Sequence, residues 1–281
     1  MKTNRILTGL LSVALLLFGN IVSASEIRLT DLVRQREMPL SDVVPDLIRN
    51  RILFIGEIHD QKRHHDVQLA VIKALHGSGA KVAIGMEMFR KDDQAALDRW
   101  VAGESSSADF KAVYYDNWNF SWSLYSDILN YARDEKIPVV GLNVSKDITR
   151  QVAKGGFQSL DPKQRKALPM VTCHVDKNYM TFIKKSHGMQ GHGQLNLTYF
   201  CEAQLVWDKV MAIHALDYLY SRPDMLMIVI AGRGHAWKMG IPAQIRKRST
   251  LPQAVMLPRV SDGLISGADD EADADYLFHS P

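Results

Sequence analysis

Cysteine is scarce in this chain: Cys173 and Cys201 are the only two in 281 residues. That excludes a disulfide-stapled mini-fold and any multi-cysteine zinc or iron–sulfur framework. An excess of charge of one sign is also lacking, since the formal net charge is +3 and two of the basic residues, Lys2 and Arg5, stand at the extreme N-terminus. No basic stripe of the kind that tracks a phosphate backbone remains, so no nucleic-acid partner is expected. Internal repeats are absent. The one marked hydrophobic run is Ile6 to Phe18, too short for a full membrane span. It follows Lys2 and Arg5 and precedes the small residues Val22-Ser23-Ala24. This is the pattern of a cleavable secretory signal peptide over residues 1–24, which predicts a periplasmic or secreted protein. No cysteine stands near the cleavage point, so a lipid anchor is not expected. In such an oxidising compartment the two cysteines either pair or remain a buried free pair.

What is present is an apolar content of 46%, enough for one sizeable core. Four apolar, β-rich runs stand out: Ile52 to Ile55, Lys81 to Met88, Ile137 to Leu142 and Leu226 to Ala231. Between them lie segments of helical periodicity, His65 to His76, Asp92 to Val101 and Trp122 to Arg133. Strands alternating with helices predict an α/β fold, a mostly parallel sheet flanked by helices, over residues 25–144 and 221–260. Arg28 to Asn50 reads as an opening segment with Leu40, Val43 and Val44 as packing points. Residues 145–220 contain no convincing strand and predict a small all-helical subdomain inserted between the third and fourth strands. Residues 261–281, with "GADDEADAD", read as an acidic, solvated, flexible tail.

In an open parallel sheet, ligands bind beyond the carboxyl ends of the strands. The first strand runs into "GEIHD", the second into "GMEMF", the third into Gly141-Leu142-Asn143 and the fourth into "AGRGHAWKMG". Glu57, His59, Glu87, Asn143 and His235 are therefore expected to converge on one crevice. Glu57, His59, Glu87 and His235 have the chemistry either to hold a divalent metal or to serve as general acid and base. The alternative is that they only pair with one another and tether loops. In "EAQLVWDKVMA", Gln204 and Asp208 share a helix face and either look into that crevice or pair on the surface, Asp208 with Lys209 or Arg233. The aromatic cluster of Tyr114, Tyr115, Trp118, Phe120, Trp122 and Tyr125 reads first as loop packing and second as a ligand wall.

The ordered set "GEIHD", "GMEMF", "EAQLVWDKVMA" and "AGRGHAWKMGIP" resembles the ChaN-like haem-binding uptake family, in the superfamily of the Tiki proteases and erythromycin-esterase-like proteins. The resemblance runs from about Arg51 to Ile245. It implies an α/β domain with a small helical domain, exported haem binding, a tyrosine on the iron, and dimers enclosing paired haems. An outer-membrane receptor or periplasmic transport partner would follow from that role. Ferric iron is a hard acid suited to a phenolate, and a neighbouring cation eases loss of the phenol's proton. The insertion supplies Tyr179 as the first candidate ligand and Tyr199 as the second, with Lys184 and His187 as candidate propionate partners. Each tyrosine taken alone also fits a half-buried core position, and His187 with His192 also fits a weak metal site. The alternative function is a metal-dependent hydrolase of the Tiki or esterase kind, with Glu57, His59, Glu87 and His235 at its centre.

Overall fold

The structure, a computed structural model, describes residues 27–174, 179–181, 196–259 and 273–279. One eight-stranded sheet organises it, in the order β2-β1-β8-β7-β3-β6-β4-β5. The strands are β1 (Arg28–Asp31), β2 (Arg36–Pro39), β3 (Ile52–Glu57), β4 (Val82–Arg90), β5 (Val139–Asn143), β6 (Leu226–Gly232), β7 (Gln253–Pro258) and β8 (Tyr276–Phe278). From β8 through β7, β3, β6 and β4 to β5 every pairing is parallel. The far edge turns antiparallel, β8 against β1 and β1 against β2.

The central strands are buried on both faces, which is why they read as continuous apolar runs. Side chains alternate along them with period two. Leu53 and Ile55 of β3, with Ile228 and Ile230 of β6, enter one core, while Ile52, Phe54, Met227 and Val229 enter the other. Helices α1 (Leu40–Leu47), α2 (Lys62–Gly77), α3 (Gln94–Ala102), α4 (Ser107–Asn117) and α5 (Trp122–Asp134) cover the first face. Helices α6 (Lys146–Gly155), α8 (Leu197–Tyr220) and α10 (Ile241–Arg246) cover the second, with α7 (Pro162–Ala167) beside them and the short α9 (Arg233–Ala236) directly after β6. Local signals set the ends of several helices. Ser145 accepts from the Asp147 amide at the start of α6, Asp161 and Gln164 form a capping box on α7, and Asn196 accepts from Thr198 and Tyr199 at the start of α8.

The α/β architecture and the four apolar strands stand where the sequence placed them. Two expectations are corrected. The opening segment contains β1 and β2 as well as α1, and the C-terminal stretch carries a strand. Instead of ending in solvent, Tyr276, Leu277 and Phe278 are buried between β1 and β7. Three residues are too few to show a period in sequence, and the partner β1 stands at the other end of the chain. The insertion is helical among the described residues, but its long helix lies directly on the sheet. Val206, Val210, Met211 and Ala215 of α8 share a core with β3 and β6. The cysteines are paired: Cys173 and Cys201 form a disulfide with their Cα atoms 5.7 Å apart. Among the described residues no helix is long and apolar enough to cross a membrane.

Candidate functional site

Glu57 closes β3 and is 1% exposed. Its carboxylate needs donors to stay buried, and four side chains supply them. His59 Nδ1 lies 2.8 Å from Oε1, to which the Tyr125 hydroxyl also donates. Gln68 Nε2 donates to Oε2 at 2.8 Å, and His65 Nδ1 stands 3.2 Å from the same oxygen. His65 also sets its Nε2 3.1 Å from the His59 carbonyl oxygen, so both its nitrogens face acceptors and the ring carries two protons. Burial disfavours the charge on Glu57, but the bonds and charges of His59 and His65 outweigh it and hold the carboxyl far below the usual carboxylate range. Burial likewise opposes protonation of His59 and His65, and the carboxylates reverse it, so both pKa values are raised.

A second pair faces the first. Glu87, on β4, accepts from the Gly232 amide at 2.7 Å through Oε2, and His235 Nε2 lies 3.6 Å from its Oε1. The other side of His235 meets Asp208 of α8, with Nδ1 to Oδ1 at 2.6 Å, and Tyr179 donates to Asp208 Oδ2 at 3.1 Å. Burial works against the charge on His235, yet Glu87 and Asp208 on either side raise its pKa to about 9. Burial raises Asp208 as well, with the bonds from His235 and Tyr179 pulling the other way. Gln204 reaches the Gly234 carbonyl at 3.2 Å and packs on His235. Asn143, at the end of β5, donates to the Glu87 carbonyl at 2.7 Å.

The two halves meet at Gly232. A Cβ there would lie 2.8 Å from the His59 ring and 3.6 Å from Glu87 Oε2, so only glycine lets the imidazole approach. His59 is the part that reaches the mouth. Its side chain is 28% exposed, and its ring sits edge-on to Trp118 at 5.0 Å and tilted against Phe120 at 5.2 Å. Trp207 meets His235 from the opposite side, with centroids 5.6 Å apart.

The structure thus brings together Glu57, His59, Glu87, Asn143 and His235, and it adds Gln204 and Asp208 from the insertion. His65, Gln68 and Tyr125 belong to the same network, although the sequence reading gave them no role there. His65 stood in the polar cluster after the first strand, and the spacing of His65 and Gln68 on one helix face was the available signal. His64, beside them, is a structural group: it accepts from the Ile58 amide at 2.9 Å, and burial lowers its pKa to about 4. The expected metal set of Glu57, His59, Glu87 and His235 lies within this network. Among the described residues no group of three or more His, Cys, Asp or Glu is placed to hold a metal ion. Trp118 and Phe120 line the mouth, whereas Tyr114 and Trp122 pack with Trp100 and Phe110 in the core.

The tyrosines differ sharply. Tyr179 is 2% exposed, stacked on Trp237 and bonded to Asp208. Burial first, then the Asp208 charge, pushes its pKa well above the ordinary phenol value. Tyr199 is half-buried in the first turn of α8, its ring against Gly156. Lys184, His187 and His192 lie outside the described residues.

Comparison with known proteins adds what geometry alone does not. The profile of a family described as haem-binding uptake, Tiki superfamily, ChaN, matches residues 43–245. The chain belongs to that family. It is similar to a solved structure of ChaN from Campylobacter jejuni, described as binding haem cofacially, with 22% identity, 90% of this chain and 96% of that chain covered, and a TM-score of 0.69. It also shares its fold with an erythromycin esterase, EreC, at 12% identity over 77% of this chain and 72% of that chain, with a TM-score of 0.51. A curated relative, the chloroplastic protein RETICULATA-RELATED 5 of Arabidopsis thaliana, is 20% identical over 254 residues, 83% of this chain. The chain spans about a third, 34%, of that longer protein.

Proposed function

We propose that this family member is an exported haem-binding protein of haem uptake, taking ferric haem through a tyrosine and working as a dimer. The family match over residues 43–245 carries the reading. The Cys173–Cys201 bond agrees with an oxidising compartment, where haem iron is ferric. The cofacial haem of the Campylobacter jejuni protein gives the dimer its rationale. Haem requires apolar walls and a hard anionic donor. Tyr199, half-buried at the start of α8, fits that need as it stands. Tyr179 fits only after its bond to Asp208 is broken and its phenol deprotonated against burial. The test is titration of the secreted chain with ferric haem, followed by absorption and sedimentation. A Soret band, a dimer, and affinity weakened more than about tenfold in Tyr199→Phe are expected. A chain that takes up no haem refutes the proposal.

The crevice favours a second reading, hydrolysis by general acid–base catalysis. His59 holds an ionised carboxylate on Nδ1 and presents the rest of its ring to an aromatic mouth, the arrangement that orients an imidazole for proton transfer. Under this reading, ester substrates are turned over and His59→Ala loses about 100- to 10,000-fold in rate. No turnover by the wild-type chain across a panel of esters would dismiss it.

A further inference from the structure

The mouth around His59 holds groups that the proton-transfer network does not use. Glu57 fixes Nδ1 of the imidazole, and the side chain stays 28% exposed against Trp118 and Phe120. Both aromatics are half-buried, with ring centroids 5.7 Å apart. A flat apolar group laid against them leaves water for aromatic contacts. Lys146, the first residue of α6, reaches the same indole, with Nζ 5.8 Å from the Trp118 ring centre. Its hydrogen bond is a long one, 3.5 Å to Asn119 Oδ1, and among the described residues no carboxylate stands within ion-pair distance of it. The nearby carboxylates are engaged elsewhere. Asp116 pairs with Arg90, Asp60 accepts from the Gln61 side chain at 3.1 Å, and Asp147 faces Arg150 at 3.7 Å. Burial first, then the charges of Arg150 and Arg90, lowers the pKa of Lys146 against the pull of Asp116. A half-buried ammonium in a field of that sign is complemented by an anion.

One indole is therefore flanked by the imidazole and by an ammonium without a counter-ion. We infer that the substrates of this crevice are esters bearing a planar apolar group and a free carboxylate, with the ring against Trp118 and Phe120 and the carboxylate on Lys146. The inference rests on the hydrolysis reading above and names its substrate class. In that reaction water adds across the acyl carbon–oxygen bond, its hydroxyl going to the acyl carbon and its remaining proton to the leaving oxygen. The carboxylate takes no part in the bond change. It fixes where the ester lies relative to His59, so its binding energy serves orientation.

The test has two arms, both on the full chain. The first compares turnover of para-acetoxybenzoate with that of phenyl acetate, the same ester without the carboxylate. Wild type is expected to favour the acid by about tenfold or more in kcat/KM, Lys146→Arg to keep that preference, and Lys146→Gln to bring the ratio to about one. The second arm needs no turnover. Unreactive para-methoxybenzoate is titrated into chain carrying isotope-labelled tryptophan, with the Trp118 resonance assigned by Trp118→Phe. The acid is expected to shift that resonance, and neutral anisole, or the acid with Lys146→Gln, to bind about tenfold more weakly. Thermal unfolding checks that the variants are folded. Equal hydrolysis of both esters, with no shift at Trp118, overturns the substrate class and leaves the hydrolysis reading standing. A Lys146-dependent shift with neither ester hydrolysed removes the hydrolysis reading, and the substrate role with it, while establishing the aryl carboxylate site. Displacement of para-methoxybenzoate by equimolar ferric haem gives the mouth to haem and overturns the substrate class.

Discussion

Replacing Glu57 by Gln lowers folding stability by about 3–5 kcal/mol, the scale expected when one partner of a buried ion pair is removed. The glutamine has the right shape but no charge. It leaves the imidazoles of His59 and His65 facing each other across a neutral amide, and its single oxygen leaves one of Tyr125 and Gln68 short of an acceptor. Urea unfolding of wild type and variant at several pH values measures the effect and its sign. Glu57 has a depressed pKa in the fold, so its contribution is present above the ordinary carboxylate value and is lost only as pH falls through the folded value. His59, His65 and His235 are raised, so theirs are complete below about 6.5 and fade as pH rises through the folded values, near 9 for His235. His64, lowered to about 4, works the other way and costs stability as pH falls below about 6.5, so wild-type stability should be greatest near pH 6.5 and decline both toward pH 9 and toward pH 4. In Glu57→Gln the share of His59 and His65 in the decline toward high pH disappears and the share of His235 remains. A variant within about 1 kcal/mol of wild type at pH 6 would mean that the buried charges do not depend on each other as described.

Reduction of the Cys173–Cys201 bond, or replacement of both residues by alanine, is expected to cost about 3–4 kcal/mol from chain entropy for a bridge across 28 residues. For a chain of this size that amounts to a fall of roughly 10 °C in melting temperature. The bond ties the segment before Tyr179 to the first turns of α8, where Tyr199 stands. Reduced protein should therefore also hold haem more weakly, because Tyr179 and Tyr199 both lie within the loop that the bond closes. Calorimetry with and without reductant checks the first part and haem titration the second. Equal melting temperatures would show that the cross-link contributes nothing to the fold.

Much of this molecule was legible in sequence, for identifiable reasons. Ile52 to Ile55 and Leu226 to Ala231 belong to strands covered on both faces, and such strands must be apolar throughout. Glu57, His59, Glu87 and His235 could be assembled on paper because strand ends in a parallel sheet share one edge. The edge strands were not legible. Arg28–Asp31 and Tyr276–Phe278 are three or four residues long, and their pairing closes a loop nearly as long as the chain. The helix-borne members of the network were equally hidden. Whether Gln68 and Tyr125 reach Glu57 depends on how α2 and α5 lean on the sheet, which no local pattern encodes.

By itself, the order of apolar runs and polar strand ends determined a parallel α/β sheet with a crevice at one edge, because burial on two faces and a period of two leave few other arrangements. Only the tertiary structure decided what that crevice became. It paired Cys173 with Cys201, committed Tyr179 to Asp208, and set His235 between the carboxylates of Glu87 and Asp208. Protonation states follow from those distances and from burial, and neither exists until the chain has folded.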